Sequence, residues 1–351
     1  MQVHIHPFTV HKRTPLTISR GTSAQSANIW LRIEQDSLEG WGEASPFSIG
    51  PHRQTRERIA AELEQLIPVL ESLHPLEQQR IEALVKEANL SSATRAALDV
   101  ALQDWLGKRV GLPLWRLWGL NLRRISPTSV TIGISSPAAA RQRLQDWLTY
   151  VSVRSIKVKL GSPEGIQADQ AMLAAIVQDS PSDVKISVDA NGGWSLKEAV
   201  QMADWLTDQG IDYIEQPLAV GQEQDLPKLY ARSPIPIFVD ESCFNSQDIP
   251  SLADRVHGIN IKLMKSGGLT EARRMIHTAR ALGLQVMFGC YSDSAIANTA
   301  LAHLSPLADH LDLDSHLNLK DDPFRGANLE NGCLIPNRQP GLGITYHASH
   351  G

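Results

Sequence analysis

Two hydrophobic rhythms divide this chain. Up to about residue 120, alternating stretches near Val3–Val10 and Ile29–Ile33 predict strands, and Gly40-Trp41-Gly42-Glu43 predicts a turn into a third. Helical spacing then takes over across residues 52–72, 76–88 and 91–107, the last with Ser91 or Ser92 as its N-cap. Strands followed by helices make an α+β module. From about 124 to 315, short β-branched runs alternate with amphipathic stretches, the pattern of repeated βα units. The runs are Val130-Thr131-Ile132, Ser155–Leu160, Lys185–Val188, Tyr213-Ile214, Ile237-Phe238-Val239, Gly258–Ile261, Gln285–Phe288 and His310-Leu311. Eight of them fit a closed parallel barrel. Helices between them include residues 165–180, 195–210 and 269–283, and the last two end on Gly210 and Gly283, glycines suited to a left-handed C′ position. The tail from 316 onward, rich in Asn, Asp, Pro and Gly, is expected to return to the first module.

Composition narrows the class. At 351 residues the chain exceeds a usual single core, so a large barrel or two domains are expected. Hydrophobic residues make up 42%, charged residues 20%, and the formal net charge is −5, as in ordinary globular proteins. Lys and Arg are dispersed, with no basic stripe to track a phosphate backbone, so nucleic acid is not an expected partner. Cys243, Cys290 and Cys333 lie far apart without a CxxC pair, which argues against a disulfide framework or a thiolate zinc site and fits a reducing cytoplasm. The amino terminus lacks a long apolar core behind a basic start, and no run of about 18 apolar residues suits a membrane span. His4, His6 and His11 alternate as strand residues do, while His347 and His350 lie in the tail; solvent-facing or hydrogen-bonded roles suit them better than zinc. Trp115 and Trp118 are expected to pack the interface between the modules.

Charged residues close several of the predicted strands. Lys157 and Lys159, Asp189, Glu215, Asp240 with Glu241, and Lys262 each fall at such an end. From Lys159 the steps to Asp189, Glu215, Asp240 and Lys262 are 30, 26, 25 and 22 residues, each about one βα repeat. In a parallel barrel the C-terminal strand ends form the active-site rim, so these side chains should converge. Three converging carboxylates repel one another and raise each other's pKa unless a cation neutralises them. An all-oxygen ligand set favours Mg2+, with Mn2+ as a substitute. A buried ammonium near positive charge has a lowered pKa, so a neutral lysine could act as a base there.

The sequence resembles the muconate-lactonizing subgroup of the enolase superfamily, and within it the dipeptide epimerases. The resemblance runs nearly full length through TISRGTS, WGEASP, IKVKLG, VDANGGWS, YIEQPL, VDESC, NIKLMKSGGLTEA and LDLDS. It implies a (β/α)7β modified TIM barrel over residues 123–315, under an α+β capping domain built from residues 1–122 and the returning tail, 316–351. It also implies that Asp189, Glu215 and Asp240 ligate magnesium, that Lys159 and Lys262 are the two acid/base groups, and that Lys157 lies near the substrate carboxylate. Asp312 and Asp314 would hold a dipeptide's ammonium group. Arg20 matches an arginine facing a glutamate side chain in Ala-Glu epimerases, a task suited to its bidentate fork. The implied reaction is a 1,1-proton transfer through an enediolate at the C-terminal residue of a dipeptide, with L-Ala-D/L-Glu as the first substrate expected and peptidoglycan recycling as the setting. In GCYSDSA, Tyr291 and Asp293 replace the Met and Glu common in relatives, which suits a cationic side chain or a narrower, aromatic pocket. A hydrophobic or cationic dipeptide preference therefore stays open. So do an o-succinylbenzoate synthase or muconate cycloisomerase type of reaction, a lysine Schiff-base aldolase, a barrel that only binds a small acid, and assembly into a homo-oligomer.

Overall fold

The computed structural model describes residues 1–50 and 52–347, so His350 lies outside the described residues. Three antiparallel strands open the chain: β1 (Gln2–Ile18), β2 (Gly21–Gln35) and β3 (Leu38–Ala44). Alternate residues of β2, Ile29, Leu31 and Ile33, turn into the core, and the helix Ser92–Arg109 lies directly on β3. That contact needs glycine. A Cβ at Gly42 would sit 1.9 Å from the Ala97 carbonyl oxygen, and one at Gly40 would sit 2.1 Å from that of Ala101.

The predicted helices appear as Arg56–Glu71, Gln78–Glu87 and Ser92–Arg109. One boundary differs. His52–Gln54 pairs as a strand with Phe47–Ile49, and Thr55 then caps the helix by accepting from the Arg58 amide. Polar HRQTRER carries no hydrophobic period before Ile59, so its pairing partner decides its conformation.

All eight predicted barrel strands form, in sequential parallel order: Ser129–Ile132, Ser155–Lys159, Lys185–Asp189, Ile214–Glu215, Ile237–Val239, Gly258–Ile261, Gln285–Gly289 and His310–Asp312. A parallel bridge from Thr128 to Leu311 joins the last strand to the first, and the Thr128 hydroxyl accepts from the Leu313 amide at 2.8 Å. Between the fifth and sixth strands no α-helix forms among the described residues. The Asp248 carboxylate instead accepts from the amides of Phe244 and Asn245, and Pro250 opens a single 3-10 turn, Ile249–Ser251. Gly210 and Gly283 take positive φ at +71° and +76°, as their helix ends require. The tail does return to the first module: Phe324–Arg325 pairs with Thr345–Tyr346, the Tyr346 ring stacks 5.5 Å from that of Trp41, and the Leu342 amide reaches Asp104 at 2.7 Å. No helix among the described residues is long and apolar enough to cross a membrane.

Candidate active site

Parallel register builds the site. Lys159 pairs with Asp189 and Asp189 with Glu215 on successive strands, so these residues form one row at the barrel's C-terminal rim. Asp240 and Lys262 directly follow the fifth and sixth strands. In an eight-strand ring, Lys159 on the second strand and Lys262 after the sixth are diametrically opposed, and the three carboxylates span the third to fifth strands between them. Asp312 and Asp314, at and just past the end of the eighth strand, face Glu215 on the fourth. The sequence-predicted lysines and acids therefore meet at one rim.

Every one of these groups is almost wholly buried, and each carboxylate finds a cation or donor. Lys159 Nζ lies 2.8 Å from Asp189, Lys262 Nζ lies 2.8 Å from Asp240, and Lys157 pairs with Glu215 and reaches within 4.0 Å of Asp312. Asp312 accepts from the Ser129 hydroxyl at 2.7 Å and Asp314 from the Thr131 amide at 2.7 Å. Among the described residues no three acidic, cysteine or histidine side chains turn their donor atoms on one point, and each of the three carboxylates is instead paired with a lysine. The donor set nevertheless fits a hard cation. Beside the Asp240 carboxylate, whose oxygens meet only ammonium groups, Glu241 Oε2 and Asn191 Oδ1 are enclosed without a hydrogen-bond donor.

Electrostatics corrects one expectation. Burial acts to lower the pKa of Lys159 and Lys262, but Asp189 on the first and Asp240 on the second hold both above the ordinary lysine value. Adjacent carboxylates outweigh desolvation, so both amines are ammonium groups in this arrangement. Burial raises the Glu215 carboxyl, with Asp189 and Asp240 adding to the rise. Burial and Asp240 likewise push Glu241 up to about 7, and burial with Asp312 pushes Asp314 up to about 6.

Arg20 meets a partner inside the protein. One terminal nitrogen pairs with buried Glu241 at 2.7 Å and the other donates to the Asn191 carbonyl at 3.0 Å, so the guanidinium is committed to the barrel rim. Tyr291 stacks flat on Phe47 with ring centroids 4.8 Å apart, and Lys262 Nζ lies 4.7 Å from its ring centre. Asp293 is buried behind it and accepts from the Tyr291 amide at 3.0 Å. Beside Lys159, a cavity of about 200 Å³ is lined by Leu16, Ile134, Trp147, Asp312 and Asp314.

Several contributors carried no role in the sequence reading. Lys265 is buried against Asp240 and donates to the carbonyls of Cys243 and Asn260. Asn260 donates to Glu215. Both had a signal: Lys265 is the second lysine of NIKLMK, and Asn260 lies two residues before Lys262 on a strand. Phe47 had none, since its place depends on the short hairpin.

Comparison with known proteins agrees with the architecture. Residues 1–119 match the mandelate racemase / muconate lactonizing enzyme N-terminal domain, and residues 138–350 match the enolase C-terminal domain-like family. The chain belongs to this enolase superfamily. It is 44% identical to a hydrophobic dipeptide epimerase of Flavobacteria bacterium (strain MS024-2A), over 98% of this chain and 97% of that protein. It is also 44% identical to a hydrophobic dipeptide epimerase of Roseobacter litoralis, over 99% of this chain and 100% of the relative. A crystal structure of a dipeptide epimerase from Cytophaga hutchinsonii, complexed with Mg and D-Ala-L-Val, superposes with a TM-score of 0.93 at 27% identity, covering 100% of this chain and 96% of that one.

Proposed function

We propose that this chain is a Mg2+-dependent dipeptide epimerase that inverts the α-carbon of a dipeptide's C-terminal residue, with a preference for hydrophobic side chains. The observation that carries this is the opposition of Lys159 and Lys262 across the rim with three carboxylates between them. Asp189, Glu215 and Asp240 would hold the ion. When bound, Mg2+ would supply a Lewis acid toward the substrate carboxylate and offset the negative charge that otherwise keeps both lysines protonated. One lysine takes the α-proton from one face and the other returns a proton to the opposite face, their roles exchanging with the isomer bound. Lys157 adds positive charge beside the substrate carboxylate, and Asp312 with Asp314 receives the substrate ammonium across the barrel.

The hydrophobic preference, in place of the Ala-Glu pair first expected, rests on Arg20 and the aromatic wall. Arg20 already serves Glu241, and Phe47, Tyr291 and Phe244 cluster beside Lys262. We take residues 1–122 and 316–351 as the cap of a barrel at 123–315, and place the enzyme in a reducing cytoplasm, which its free cysteines support; dipeptides from peptidoglycan turnover belong to its candidate pool. The test is an L,L-dipeptide panel incubated in heavy water with the Mg2+-loaded enzyme. Leucyl and tyrosyl C-terminal residues should gain one deuterium at the α-carbon as they invert, faster than glutamyl ones. Unlabelled product carrying a new double bond or ring would reject the epimerase.

A further inference from the structure

A second cleft, of about 420 Å³, lies where the cap helices Gln78–Glu87 and Ser92–Arg109 meet the barrel helix Leu269–Ala281. One wall is apolar, made by Ile81, Val85, Leu98 and Leu102, each at most 8% exposed. Arg95 lines the same cleft. Its Nε is enclosed and has no hydrogen-bond partner, and its guanidinium packs so closely on the chain that a Cβ at Gly267 would sit 3.2 Å from that nitrogen. Burial pushes the Arg95 pKa down, and the pull of Glu271 and Glu62 does not restore it.

The acids lining the cleft, in contrast, are satisfied. Glu82 and Glu271 hold Arg274 at 2.7 and 3.2 Å, Glu271 also accepts from the Ser246 amide and hydroxyl, and Asp99 accepts from the Thr270 amide at 3.0 Å. Arg95 is half-buried, and its enclosed Nε–H without an acceptor costs free energy that an anion bound to the guanidinium would offset. Its planar fork suits a carboxylate. The three nearby acids disfavour a dianion, while the apolar wall offers burial for a hydrocarbon body. We propose that this cleft, separate from the barrel mouth, binds a small monocarboxylate carrying an apolar body.

Calorimetric titration of the full-length, Mg2+-loaded protein with hexanoate tests this, with hexylammonium and inorganic phosphate as comparison probes. Hexanoate should bind saturably with a Kd no weaker than about 10 mM. Arg95→Met should weaken it at least tenfold while leaving dipeptide turnover within twofold of wild type. Should that variant not fold, Val85→Trp, which fills the apolar wall, should show the same loss. Equal binding by wild type and variant, no saturable binding by wild type, or hexylammonium or phosphate binding as tightly as hexanoate would each overturn the proposal. A change in oligomeric mass on Arg95→Met would overturn it too, by assigning the cleft to contact between copies.

Discussion

At the residue scale, the two lysines make the sharpest claim because they stand on opposite faces of one substrate position. Removing either should lower epimerisation by on the order of 10²–10⁴-fold, the usual contribution of a positioned acid or base. The loss should be asymmetric in a second readout. Lys159→Ala should still exchange the α-proton of the isomer whose hydrogen faces Lys262, and Lys262→Ala that of the opposite isomer. Mass detection of deuterium in each isomer separately checks this, and equal exchange of both isomers by either variant would sink the two-face assignment. Much of this constellation was legible, since Lys159, Asp189, Glu215, Asp240 and Lys262 recur at strand ends at βα spacing. What Arg20 touches was not. A guanidinium near the rim could meet a ligand or a protein acid, and only the fold brings Glu241 within 2.7 Å of it.

At the element scale, period and length sufficed for the eight barrel strands and the long cap helices, while short polar segments went unread. His52–Gln54 is a strand only because Phe47–Ile49 lies beside it, a partner that no local pattern announces. The helix Ala295–Leu304 shows how tertiary seams escape a sequence reading in the same way. Its His303 is wholly buried, accepts from the Trp115 amide through Nδ1 at 3.2 Å, and bonds the Leu342 carbonyl through Nε2 at 3.0 Å. These bonds fix a neutral tautomer, with Nε2 the protonated nitrogen. Burial lowers its pKa from 6.5 to about 4. Because the folded value lies below the unfolded one, the unfolded chain takes up the proton first as pH falls. His303 therefore contributes its full stability above pH 6.5 and loses it progressively down to about pH 4, a loss on the order of 3 kcal/mol. Urea unfolding across that window should show the decline. His303→Gln should be less stable than wild type at pH 8 yet fall less steeply below 6.5; an unchanged slope would remove His303 from the account.

At the scale of the whole molecule, the cap and the barrel complete each other. Leu16 from the cap lines the cavity beside Lys159, and Glu43 at the end of β3 accepts from the Ser294 amide and hydroxyl at the start of Ala295–Leu304. That helix follows the loop carrying Tyr291 and Asp293, so the cap also braces the wall beside Lys262. An ion held by Asp189, Glu215 and Asp240 would bind only where the third, fourth and fifth strands are in register, which makes it a probe of the intact barrel. A ligand that binds only the folded state stabilises it by about 2.7 kcal/mol at a concentration of 100 Kd. Mg2+ should therefore raise the melting temperature of chelator-treated protein. Asp240→Asn should abolish most of that rise, because it removes one anionic ligand and leaves Lys262 and Lys265 without their shared carboxylate. Exhaustive chelation should also stop α-proton exchange, and Mg2+ should restore it. Exchange that persists at full rate in the chelated protein would show that the carboxylates serve only to hold the lysines, and the reaction would then need a different source of stabilisation for the developing negative charge.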